Sequence, residues 1–168
     1  MPHKIRIRGT IMAQNGLDPR DHQILVELQK NGRISNVELA TKVGLSPSAC
    51  LRRVQALESR GFIAGYAARL DPKRLGLSVT AFVSVQIAQD QEEATESFRA
   101  AVHDMPHVVE CYAVTGTYDF LLRVVAPDLE TYENQTVKPL LRISAVRDVR
   151  TNFVLEPVKD EACLPLEG

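Results

Sequence analysis

Two residues, Gly44 and Leu45, are all that separate one marked helix from the cap of the next. Before them, Ser35-Asn36-Val37-Glu38 is a capping box, in which Ser35 and Glu38 can each bond the other's backbone N–H. Val37, Leu39, Ala40 and Val43 follow at helical spacing, and Gly44 ends the segment. After them, Ser46 offers a capping hydroxyl, and Pro47 suits the first helical position, where its missing N–H costs nothing. Gly61 can take the left-handed conformation that stops this helix. Two short helices joined by so tight a glycine turn predict a helix-turn-helix. Upstream, Asp18 caps and Pro19 opens a further helix with Ile24, Leu25 and Leu28 as its apolar stripe and Gly32 at its end. Three helices in about 45 residues make a small core, so this part is expected to rely on a partner for stability.

The helix from Ser46 to Arg60 has two unlike sides. At about 100° per residue, Cys50, Leu51, Val54 and Leu57 fall together, and Arg52 points away from them with Ser48, Gln55 and Ser59 beside it. An outer face serving only solubility would more often carry Glu–Lys pairs. Small polar residues around a guanidinium let a backbone approach the major groove and offer donors to phosphates and base edges. For this helix alone, an ordinary core helix with solvated arginines would be the plainer reading. Charge tips the balance: residues 1–64 carry a net +5 and residues 65–168 a net −6 within a total of −1. A basic part joined to an acidic one fits a polyanion-binding domain beside one that avoids polyanions.

From Phe62 the pattern changes. Residues 63–70 are extended in character and 71–77 read as a turn and connector. Strands are expected over 79–87, 108–114, 118–125 and 146–158. Helices are expected over 91–105, with Ala94, Phe98, Ala101 and Val102 on one stripe, and over 128–141, with Asp128 as cap. Pro106 stops the first of these helices, and Thr115-Gly116-Thr117 links the two middle strands. The order β-α-β-β-α-β is the ferredoxin-like split motif, with helices over one sheet face and the other face bare. A bare apolar face usually means pairing with a second copy. The fold class is therefore α+β: an N-terminal three-helix helix-turn-helix domain followed by a ferredoxin-like βαββαβ domain. Residues 1–16 read as a basic N-terminal arm, 17–64 as the helix-turn-helix domain and 65–78 as the connector. Residues 79–160 read as the ferredoxin-like domain, and 161–168 as an extended tail.

Two stretches, "GLSPSACLRRV" and "VTGTYDFLLRV", occur in an order and at a spacing that resemble the Lrp/AsnC family of bacterial regulators, and the resemblance covers about residues 17–160. It implies a cytoplasmic transcription regulator of amino-acid metabolism that binds double-stranded DNA. It also implies dimers formed through the sheet domains, further assembly commonly to octamers, and an amino-acid effector held between dimers. Carried over by position, Ser46, Ser48, Arg52, Arg53 and Gln55 would face DNA. Gly116, Thr117, Tyr118, Asp119 and Thr151 would bind the effector. The loop's own chemistry agrees: Gly116 lets backbone N–H groups approach a carboxylate, and Asp119 can pair with an α-ammonium. The plainer reading of Tyr118 and Asp119 is a strand start that pins a turn. No residue in the loop specifies the effector's side chain. The ending "CLPLEG" is similar to tails of local regulators of amino-acid catabolic operons.

Other chemistry finds little support. Cys50, Cys111 and Cys163 are odd in number and unpaired by spacing, which argues against a disulfide framework or zinc site and for a reducing compartment. His103 and His107 are four apart, but Pro106 lies between them, so no metal is expected. Cys111 reads as a small buried hydrophobe inside a strand. No nucleophile–base set and no phosphate-binding glycine loop is evident, so no catalytic residue and no cofactor is assigned. No apolar run approaches the ~20 residues of a membrane span. The competing reading is a small-molecule-binding regulatory module of an enzyme, with a protein-binding helical domain.

Overall fold

The computed structural model describes residues 16–88, 92–160 and 163–166, so the basic arm before Gly16 and the expected helix start at Gln91 lie outside the described residues. The chain divides into two compact units. One comprises the chain up to Ala68 together with its end from Asp160 onward, and the other is Arg69–Lys159.

The first unit holds α1 (Pro19–Lys30), α2 (Asn36–Val43) and α3 (Pro47–Ser59). Each begins where its cap stands. Asp18 accepts the N–H groups of Arg20 and Asp21 at 2.8 and 2.9 Å, and the Asp21 carboxylate returns a bond to the Asp18 N–H. Ser35 and Glu38 form the expected reciprocal box. Ser46 accepts the Ala49 N–H at 3.3 Å. Gly44 takes the left-handed conformation (φ 65°, ψ 41°), and the Arg20 guanidinium closes over it to donate to the Val43 carbonyl at 2.6 Å. A Cβ at Gly44 would be strained and would press on that guanidinium. Ile24, Leu25, Leu39, Ala40, Val43, Cys50 and Leu57 form the core. Leu51, expected on the apolar side of α3, is 46% exposed, because Cys50, Val54 and Leu57 take the centre of the stripe and leave it at the margin.

Three carboxylates of this unit titrate below their ordinary range. Glu27 is pulled down to about 2 by bonds from Lys30 and Lys42. Glu38 is lowered by its bonds to Ser35, and Asp18 chiefly by the Asp21 N–H and then by Arg53. A depressed folded-state pKa gives stability that is present above the unfolded value and lost as pH falls towards the folded one. The helical unit should therefore lose stability from about pH 4.5 down towards pH 2, the window that Glu27 sets. Added salt should blunt the loss, since the two lysines are more than half exposed. Melting curves across that range at two ionic strengths check this.

The second unit runs β1 (Val79–Ile87), α4 (Glu92–His103), β2 (Val108–Ala113), β3 (Phe120–Ala126), α5 (Leu129–Tyr132), a π-turn (Glu133–Val137), α6 (Lys138–Arg142) and β4 (Val146–Phe153). The antiparallel sheet has the order β2-β3-β1-β4, as the split motif requires. Ala81, Val83, Val85 and Ile87 of β1 and Phe120, Leu122, Val124 and Ala126 of β3 face Phe98, Val102, Tyr132 and Leu140 of the helices. The Phe98 and Phe120 rings pack with centroids 4.6 Å apart, tilted by 39°. Ala94, expected on the same stripe as Phe98, falls outside the described side chains.

Four details depart from expectation. Cys111, read as a small buried hydrophobe, is exposed on the edge strand β2. The second helix runs on from Leu129 to Arg142 but widens into one π-helical turn at Glu133–Val137, because Pro139 has no N–H for the carbonyl four residues back. The last strand stops at Phe153 rather than Val158, because Phe153 already lies opposite Ala81, near the start of β1, and little partner strand remains. The uncovered sheet face is not simply apolar. Phe82, Leu121 and Tyr112 share it with Ser84, Arg150, Asn152 and the Glu110–Arg123 ion pair at 2.7 Å.

Candidate functional site

Each unit presents one place where the sequence reading and the geometry meet. In the helical unit it is the outer face of α3. Ser46, Ser48, Arg52, Gln55 and Ser59 are all exposed, while Cys50 and Leu57 on the opposite side are buried. Among the described residues Arg52 has no ion pair and no side-chain hydrogen bond, so its guanidinium is uncommitted. Ser46 and Ser48 hold their hydroxyls 3.3 Å apart at the N-terminal turn, where backbone N–H groups also point outward. Along one flank runs a shallow depression of about 470 Å³, lined by Ala49, Arg52, Arg53, Ala56 and Arg60 with Asp21, Leu45 and Leu57 beneath. Two alanines beside Arg52 leave this flank low enough for a polyanion backbone to approach its guanidinium closely.

Arg53 departs from the expected set. Its Nη1 is bonded to Asp18 and, at 2.7 Å, to Asp21, whose side chain is only 10% exposed. The two carboxylates hold the guanidinium pKa above its ordinary value, Asp21 most strongly. This cation is thus spent inside the unit, tying the middle of α3 to the first turn of α1. Two other links fix the same helix: Asn36 donates from its amide to the Pro47 carbonyl at 2.8 Å, and Arg20 holds the preceding turn. Sequence reasoning missed these links because they join residues 11 and 23 positions apart.

In the sheet unit the place is the loop between β2 and β3. The Val114 N–H donates to the Asp119 carbonyl at 2.9 Å and closes it, with Gly116 at φ 120°. The loop is fastened to one end of the sheet. The Asp119 N–H donates to the Val85 carbonyl, and an Asp119 carboxylate oxygen accepts the Ile87 N–H at 2.8 Å, beside the irregularity at Gln86 and Ile87. Gln86 donates from its amide to the Thr117 carbonyl at 3.2 Å, and the Tyr118 hydroxyl donates to Asp148 at 3.2 Å. Gly116, Thr117, Tyr118 and Asp119 are thereby brought together with Gln86 and Asp148, which the sequence reading did not include. Thr151 does not join them. It lies opposite Val83, nearer the middle of β1, and its hydroxyl is bonded to Tyr132 on the helix-covered side. Both ring nitrogens of His107 are likewise taken up, by Val125 and Gln135.

Comparison with known proteins bears on both places. Residues 17–64 match the family of winged helix-turn-helix DNA-binding domains, and residues 80–164 match the Lrp/AsnC ligand binding domain. The leucine-responsive regulatory protein of Salmonella typhimurium is 46% identical over 143 residues, covering 85% of this chain and 87% of its own length. The leucine-responsive regulatory protein of Escherichia coli K12 matches to the same extent. The crystal structure of a Neisseria meningitidis transcriptional regulator in complex with L-Met aligns with a TM-score of 0.86 at 41% identity, covering 89% of this chain and 97% of that one. An AsnC family transcriptional regulator from Agrobacterium tumefaciens aligns at 0.83 with 39% identity and the same coverage.

Proposed function

The chain belongs to the Lrp/AsnC family of DNA-binding transcriptional regulators, and on that premise we propose that α3 reads the major groove of a promoter and that the β2–β3 loop senses an amino acid. The observation that carries the first part is the exposed Arg52, without an ion pair among the described residues, set among Ser46, Ser48 and Gln55 on a helix whose other side is core. The reading is of a homodimer, assembled further through the sheet units, that presents two such helices to a near-palindromic site. The mixed polar and aromatic character of the open sheet face fits pairing with a second copy that also separates in water, since its apolar members are flanked by charge. Its role in the cell is control of genes of amino-acid metabolism.

The second part rests on the loop. One Asp119 oxygen is used by the Ile87 N–H, and the other has no partner among the described residues. An α-ammonium could take that oxygen while the backbone around Gly116 meets the carboxylate. A relative at 41% identity was crystallised with L-Met, which supports an α-amino acid as the class. Thr151 enters only if a neighbouring copy or a movement of Tyr132 brings its hydroxyl to the ligand.

The test is thermal denaturation of the full chain against each of the twenty amino acids. A ligand that binds only the folded form at about 100 times its Kd adds roughly 2.7 kcal/mol of apparent stability. Asp119→Asn keeps an oxygen for the Ile87 N–H but loses the charge. It should keep the melting point of the unliganded protein and lose the shift. A full shift in that variant would remove Asp119 from the pocket.

A further inference from the structure

The helical unit is entered by the chain twice, and the second entry is held by a specific contact. Gln29, half-buried on α1, grips the backbone of Leu164 with both ends of its amide. Its oxygen accepts the Leu164 N–H at 2.6 Å and its nitrogen donates to the Leu164 carbonyl at 3.3 Å. The Cys163 thiol adds a weaker bond to the Gln29 carbonyl at 3.8 Å. Two residues on, Leu166 packs against the core of the helical unit. It lies in a groove of about 660 Å³ on the α1–α2 side, lined by Leu17, His22, Val26 and Val43. Pro165 fixes its own φ and keeps Leu164 extended, so this short segment arrives with little freedom left to lose. An amide that bonds both the N–H and the C=O of one residue recognises extended backbone, as a neighbouring strand would, and an apolar side chain in a groove adds burial.

We propose that residues 163–166 are a latch by which the chain's own C-terminal segment docks on α1, so that the DNA-reading unit is attached to the rest of the chain at two points rather than one. The consequence rests on the DNA-binding reading above. A unit on a single flexible connector must lose much orientational freedom before two copies can engage one duplex, and a second attachment removes part of that cost in advance. With the latch seated, a dimer should prefer one half-site spacing. With it released, the spacing preference should relax. The groove with Gln29 beside it is then a regulatory surface, whose occupant is the chain's own Cys163-Leu164-Pro165-Leu166.

Hydrogen exchange of the full-length protein tests the latch without DNA. The Leu164 N–H should be protected in the native chain and should exchange about tenfold faster in Gln29→Ala. α1 should stay intact in that variant, since alanine favours helix. Leu166→Ala should release the same segment by emptying the groove. Absence of protection at Leu164 in the native chain would overturn the proposal. So would protection that grows with protein concentration, because the tail would then come from a second copy. For the consequence, the probe is a duplex selected by the native protein from a random pool, together with the same duplex lengthened by a base pair or two between its half-sites. Gln29→Ala should bind the selected duplex several-fold more weakly and discriminate less between the two. An unchanged spacing preference would refute the holding role. A native protein that selects no duplex would sink the DNA-binding reading, while the exchange result would still decide the latch.

Discussion

Arg52→Ala is expected to abolish sequence-specific duplex binding while leaving the melting point and the oligomer unchanged. The side chain is exposed and makes no bond within the described residues, so its removal uncovers no core and strands no partner. Alanine is at least as good a helix former as arginine, so α3 itself should persist. On the DNA side the loss is large. A well-placed bidentate arginine–base contact gives about 1–3 kcal/mol of discrimination, and a symmetric dimer makes it twice. The doubled contact amounts to roughly 30-fold to about 10⁴-fold in affinity. Fluorescence anisotropy at fixed salt, with the melting curve as control, reads both halves. Arg52→Lys separates the two ways the residue could act. Lysine keeps a phosphate contact but not a forked one to guanine, so affinity recovered by lysine would place Arg52 on the backbone rather than on a base. Binding unaffected by either change would remove α3 from the interface.

What could be read from residues alone was whatever is local. The caps at Asp18, Ser35 and Ser46 mark their helices because capping is satisfied within three residues. Likewise the β-branched run from Val79 to Ile87 marks a strand because alternation is a property of neighbours. The order of elements then leaves few ways to build the sheet, and the split motif follows. Long-range contacts were illegible. Nothing near Arg53 announces that two carboxylates 32 and 35 residues earlier will claim it. Nothing in "CLPLEG" says that Gln29 will hold it. The π-helical turn was not foreseen: residues 128–141 read as one plain helix, and how it absorbs Pro139 depends on packing around Tyr132 and Leu140. The same division explains the β2–β3 loop. Gly116 to Asp119 form one contiguous stretch and were found together, whereas Gln86 and Asp148 meet them only through strand register.

Arg53→Ala is expected to destabilise the helical unit and to weaken DNA binding without changing its salt dependence. Removing one partner of a fully buried ion pair costs about 3–5 kcal/mol, because the other charge is left behind in poor solvent. Here the Arg53 side chain is 35% exposed, so water can partly replace it, and about 2 kcal/mol is the expected loss, borne mainly by Asp21. For a unit this small that is roughly 10 °C in melting temperature. The effect on DNA follows from position rather than contact. With its tie to α1 cut, α3 can shift in the unit, and an error of an ångström at a base edge spoils a bidentate bond. A residue that touched a phosphate would, on removal, lower the slope of log affinity against log salt by about one per contact. A residue that only holds the helix leaves that slope intact and lowers affinity at every salt concentration. Lysine is again the informative control, for a different reason. A single nitrogen of Arg53 reaches both Asp18 and Asp21, so one ammonium can stand in its place, and Arg53→Lys should restore most of the stability and most of the affinity. If Arg53→Ala flattened the salt slope while leaving the melting point untouched, the residue would belong to the DNA surface, and the tie to α1 would be incidental to it.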